Sequence, residues 1–181
     1  MNLITSKPCI TRTASHINRA IKKALDLYEA RGFNITAING DNAFNTKILR
    51  AQLLLIWTQI YGKGEHFGII ESIIRVIKER ARCMCHDIPY QYHTRIMIKS
   101  LISCVVKWLN GFQTKGGISK TMSPSMIVEG EPDTNFNQER IVFGSYDLVY
   151  TGTSNGMNRR SIPSIELNKS KDNGGHYFMT I

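Results

Sequence analysis

FNITAINGDNAF, residues 33–44, decides how the chain is read. Phe33, Ile35 and Ala37 alternate with Asn34 and Thr36, the period of a strand, and the run meets an Asn39-Gly40 turn signal. A strand over 33–38 therefore delivers a carboxylate, Asp41, at its end. Upstream, Ile17, Ile21, Ala24, Leu25 and Tyr28 recur at helical spacing, so 15–31 reads as a helix started by Thr13 or Ser15 and ended by Gly32. Downstream, a short helix is expected near 45–53, then a β-rich apolar run over 54–61 that Gly62 and Gly64 break. Glu71 opens the next helix, whose expected buried face is Ile70, Ile73, Ile74, Ile77 and Ala81 and which must stop before Pro89. A long, mostly apolar helix is expected over 93–112.

The chain has 181 residues and a net charge of +9, enough to bury one good core and basic enough to suggest a polyanionic partner. Residues 1–31 carry six basic and two acidic groups, and residues 75–107 carry seven and two. The other two stretches, 32–74 and 108–181, are neutral, so the tail does not read as a nonspecific basic clamp. No signal-peptide core occurs in 1–13, and Lys99, Lys107 and Asn110 interrupt the longest apolar stretch, which argues against a membrane span. An intracellular protein with Cys9, Cys83, Cys85 and Cys104 reduced is the expectation. Cys83, Cys85, His86 and His93 have poor zinc spacing and no second cysteine pair, so they read as buried thiols and ordinary surface histidines.

Beyond Phe112 the composition turns to Gly, Ser, Thr, Pro and Asn, with one helical turn expected after Ser123-Pro124. From Arg140 the pattern becomes short strands, 141–143, 146–150, 161–167 and 176–181, with turns at 152–158 and 173–175. The domain expectation is a mixed α/β body over 1–112, a linker with a short helix over 113–139, and a small β module over 140–181.

The chain resembles the integrase core of copia-type long-terminal-repeat retrotransposons. The resemblance is carried by RGFNITAINGDNAF (31–44), EHFGIIESIIRVIKERAR (65–82), VVKWLNGF (105–112), KGGISKTMSPSMIVEG (115–130), FGSYDLVY (143–150) and GGHYFMTI (174–181), six segments in the family's order. It implies an α/β fold, an incomplete ribonuclease-H-like core followed by a small antiparallel β-barrel-like module. In that family two aspartates and a glutamate hold two magnesium or manganese ions. By motif, Asp41 matches the second aspartate and Glu71 the glutamate, so both are the expected catalytic and metal residues. Hard cations favour carboxylate oxygens, and paired metals stabilise attacking and leaving oxygens at phosphorus. The family's first aspartate lies upstream of the helix matched by 15–31, and Asp26 is no substitute because it lies inside that helix. Ala43 and Ser72 also depart from the family pattern, which often has an acidic residue or glycine at the first and commonly arginine at the second.

Arg75, Lys78 and Arg82 continue from Glu71 along one helix face and are the expected DNA-binding residues, holding phosphates beside the chemistry. Plainer readings stand beside these. Asp41 suits a turn or helix cap, Glu71 a first-turn glutamate paired with Arg75 at i,i+4, and the cationic stripe a solvated face. Trp57, Trp108 and the tyrosines lack basic-aromatic interleaving and read as core. Two functions follow: a DNA-integration fragment, expected to be inactive alone for want of the first aspartate, or a non-catalytic nucleic-acid-binding remnant. The expected partner is DNA, element ends and target duplex, in the nucleus if the chain functions, with a homo-oligomer left open and neither membrane nor small-molecule cofactor.

Overall fold

The computed structural model describes residues 3–9, 11, 13–41, 57–61, 68–113, 117, 119–130, 141–152, 155–170 and 174–181, with 41 and 57–61 described as backbone. It is a mixed α/β chain. Along it run α1 (Ala14–Glu29), β1 (Ala37–Asp41), β2 (Trp57–Tyr61), α2 (Gly68–Asp87), α3 (Arg95–Gly111), α4 (Pro124–Val128), β3 (Tyr146–Tyr150), β4 (Ser161–Lys169) and β5 (His176–Thr180). Two compact units divide the chain: Met1–Arg75 with Asn110–Asp133, and Val76–Leu109 with Thr134–Ile181.

In the first unit, α1 ends at a glycine for a stereochemical reason. Gly32 adopts φ +76, its N–H donates to the Glu29 carbonyl at 2.9 Å, and the Phe33 N–H reaches back to the Tyr28 carbonyl at 3.1 Å. The Phe33 ring meets the Tyr28 ring edge-on, with centroids 6.0 Å apart. This is a Schellman closure with its hydrophobic contact. It also corrects the expected strand over 33–38. Phe33 is committed to the end of the helix, so β1 begins at Ala37 and runs straight through Asn39-Gly40 to Asp41. β1 pairs in parallel with β2, Ala37 opposite Trp57 and Asp41 opposite Tyr61. The expected helix over 45–53 and the first residues of the apolar run, 54–56, lie outside the described residues.

Asn110 ties this unit together. Its amide accepts from the Ile4 N–H at 2.8 Å and donates to the Ile4 carbonyl at 2.7 Å, while its own carbonyl accepts from the Ser125 hydroxyl at 3.1 Å. α4 starts as Ser123-Pro124 predicts: the serine hydroxyl accepts from the Met126 N–H at 3.3 Å, and proline fills the first turn. Nearby, the Arg31 guanidinium donates to the Glu129 carbonyl. Burial, followed by the Glu129 charge, raises the Tyr28 phenol above its ordinary range.

In the second unit, Ala81, Ile88, Leu101, Cys104, Val105 and Phe143 form a buried cluster, with Ile77, Met84 and Trp108 packed against it. α3 is capped by Thr94, whose hydroxyl oxygen accepts from the Met97 N–H at 3.3 Å. The core-facing stripe of α2 covers less than its sequence suggests. Ile77 and Ala81 meet the cluster, but Ile70 and Ile74, expected to be buried, are 44% and 45% exposed.

β3, β4 and β5 form a three-stranded antiparallel sheet in that order, Tyr146 opposite Ile165 and Ile165 opposite Met179, with a bulge between Glu166 and Asn168. Among the described residues this sheet is what stands where a barrel-like module is expected. Ile165 and Leu167 pack with Met97 in a second buried cluster. The expected strand over 141–143 is a turn instead. The Ser145 N–H donates to the Val142 carbonyl at 3.0 Å, and Gly144 has φ +83. A Cβ on Gly144 would stand 3.0 Å from Ile88, so the turn presses its backbone on the helices while Phe143 enters their cluster.

Candidate nucleic-acid interface

Parallel pairing places Asp41 at the end of β1, and α2 follows seven residues after β2 (68 − 61). Glu71 occupies the first turn of α2, where the exposed N–H groups and helix dipole favour a carboxylate. At 3.6 residues per turn, Glu71, Arg75, Lys78 and Arg82 fall within about 60° of arc. All four are exposed. The side of α2 that meets the core, carrying Ile77, Ala81 and Met84, is centred about a third of a turn away from the stripe, and Cys85, also packed on the core, borders Lys78. Exposed Glu79 borders the stripe with a carboxylate.

Ser72 does not contribute its hydroxyl outward. It donates to the Ile69 carbonyl at 2.8 Å, a local bond that keeps the side chain on its own helix. Among the described residues no group of three His, Cys, Asp or Glu side chains is placed to hold a metal ion. The Asp41 side chain lies outside that description. All four cysteines are free, and Cys104 is the buried one; Cys83, expected to be buried, is exposed.

Sequence reasoning also misjudged the tyrosines. Trp108 does pack against the core, but Tyr146, Tyr150 and Tyr177 are more than half exposed. The signal was available in YDLVY, residues 146–150, where strand alternation puts Tyr146, Leu148 and Tyr150 on one face. The buried Glu166 was missed as well. It sits on the central strand with the His176 Nδ1 3.0 Å from its Oε1, a pairing that only the β4–β5 register brings together.

No described helix is long and apolar enough to cross a membrane. A scan against family models gives no match. Comparison with curated proteins gives none either. Among solved structures, the chain is similar to a chain in a cryo-electron-microscopy structure of the simian T-cell lymphotropic virus intasome in complex with the PP2A regulatory subunit B56 gamma, at 13% identity and a TM-score of 0.41. The likeness covers 90% of this chain, which spans 61% of the length of that one.

Proposed function

We propose that the chain is an integrase-like piece of a copia-type polyprotein, with a ribonuclease-H-like core, that binds DNA through the phosphate backbone. One observation carries this reading: Glu71 leads an exposed cationic stripe, Arg75, Lys78 and Arg82, on a helix that follows a parallel strand pair whose first strand ends at Asp41. Guanidinium and ammonium groups one, two and three turns beyond a carboxylate would hold phosphates while the carboxylate faces the bond to be broken. The donor set, two carboxylates, suits a hard divalent cation such as magnesium or manganese, which Asp41 and Glu71 would hold. Such an ion supplies charge neutralisation at the phosphodiester and activates the attacking oxygen. The nucleus is the compartment where this role would be exercised.

Strand transfer and non-catalytic binding are the two forms of this function. Asp41 and Glu71 would be a sparse donor set for a hard divalent cation, which takes roughly six or more oxygen ligands and would bind weakly with two carboxylates. Non-catalytic binding is therefore the form proposed for this chain alone.

The test is duplex binding measured against salt concentration. Replacing Arg75, Lys78 and Arg82 together with glutamine is expected to weaken binding and flatten the log–log salt slope by up to about three units, near 0.9 per lost phosphate contact. An unchanged slope removes the stripe from the interface. Joining of element-end DNA with either metal is expected to be absent; robust joining that Asp41→Asn abolishes would establish the catalytic form instead.

A further inference from the structure

The cationic stripe of α2 reaches past Arg82. The helix continues to Asp87, and His86, which is exposed, occupies its last turn. Lys78, Arg82 and His86 follow one another at steps of four residues, each adding about 40° of arc and about 6 Å of rise, so the imidazole stands next in line on the same face. All three belong to the second unit.

Packing determines what surrounds His86. The side of α2 that meets the core, Ile77, Ala81, Met84 and Cys85, is centred roughly 160° around the helix from it. On that far side lie α3, which carries Arg95, Lys99 and Lys107, and the turn before β3, which enters by Phe143. Among the described residues, the charged and titratable groups near His86 are therefore those of α2 itself: Arg82 one turn back, the Cys83 thiol, the Glu79 carboxylate two turns back, and Asp87 beside it. The last turn also carries the negative end of the helix dipole. With a neutral imidazole, this end of the stripe meets a phosphate with a carboxylate and the helix carbonyls, which repel it. With a charged imidazole, the dipole and Asp87 favour the cation, and the stripe gains one more positive group in line. Arg82 opposes that charge in the free chain, and a phosphate held between the two removes the opposition. Protonation and phosphate binding thus favour each other, and the coupling is reciprocal.

We infer that His86 is the pH-responsive end of the DNA-binding stripe, adding a phosphate contact beyond Arg82 when protonated. The sign follows from the proton taken up on binding: duplex affinity rises as pH falls through the range between about pH 8 and about pH 5 in which imidazoles gain their proton, and the added contact is lost as pH rises again. The inference rests on the proposed reading of the stripe and adds its regulation.

The experiment uses the full chain and a fluorescent mixed-sequence duplex, titrated against salt at about pH 5.5 and about pH 8. Between the higher and the lower pH, the log–log salt slope of the parent is expected to steepen by about 0.9, one phosphate contact, and its affinity at about 0.1 M salt to rise several-fold. The chain has five histidines, so the parent is read against His86→Gln, which keeps the other four. His86→Gln should show at both pH values the shallower slope that the parent shows at the higher one. His86→Arg should show the steeper slope at both, a gain that a folding defect cannot produce. A pH response of undiminished size in His86→Gln, in a chain whose binding the Gln triple variant at 75, 78 and 82 has weakened, overturns the inference and leaves the stripe reading standing. So does His86→Arg that binds no tighter than the parent at the higher pH. A triple variant that binds like the parent at both pH values removes the stripe reading, and the inference with it.

Discussion

Asn110 interrupts an apolar run in the sequence and there counts only against a membrane span. In the fold it is a buried amide whose two ends match the two polar groups of one backbone residue, Ile4, in the manner of a strand partner. Asn110→Ala leaves both groups short of a partner in a half-buried setting and should cost about 1–3 kcal/mol. Asn110→Asp should be destabilising too, since it keeps an acceptor for the Ile4 N–H but sets a second oxygen against the Ile4 carbonyl. Urea unfolding of the two variants checks this, and an alanine variant within about 0.5 kcal/mol of the parent would mean that the N-terminal segment is not held by the amide in solution.

Among the elements, the junction between α1 and β1 shows how one backbone requirement sets the limits of two neighbours. Gly32 closes the helix at φ +76, and the space a Cβ would occupy there is open, so substitution is penalised by conformation alone. Gly32→Ala should lower stability by about 1–2 kcal/mol, and Gly32→Asn by clearly less because asparagine visits the left-handed region more readily. Comparison of thermal midpoints decides this. Equal losses for alanine and asparagine would point to a lost contact rather than backbone strain.

For the molecule as a whole, apolar residues that look alike in sequence are used differently. Leu101 is 3% exposed within the α2–α3 cluster, whereas Ile70 lies on the same stripe of α2 as Ile77 yet is 44% exposed. Leu101→Ala should cost about 2–5 kcal/mol, and Ile70→Ala less than about 1 kcal/mol. Denaturant midpoints for the pair measure the difference, and equal costs would mean that the upper face of α2 is covered in solution. The sheet shows the same selectivity. Phe143 shares a core with α2 and α3, and Ile165 and Leu167 share one with Met97, while the tyrosines of β3 remain in water.

Local chemistry was enough for several features. The Ser123-Pro124 helix start, β3 over 146–150, the helical register that aligns Glu71 with Arg75, Lys78 and Arg82, and the role of Gly32 all depend on residues within a few positions of one another. Their energies are those of caps, alternation and φ, which a sequence states directly. Tertiary structure decided the rest. The helix-closing use of Phe33 moved β1 to Ala37–Asp41, and the demand that Phe143 enter the helical core turned an expected strand into a glycine turn. Pairing between β4 and β5 made Glu166 a buried partner of His176. In each case the deciding partner is remote in sequence or competes for the same N–H or apolar face, and hydrophobic periodicity records that a side chain can be buried without recording whether anything arrives to bury it.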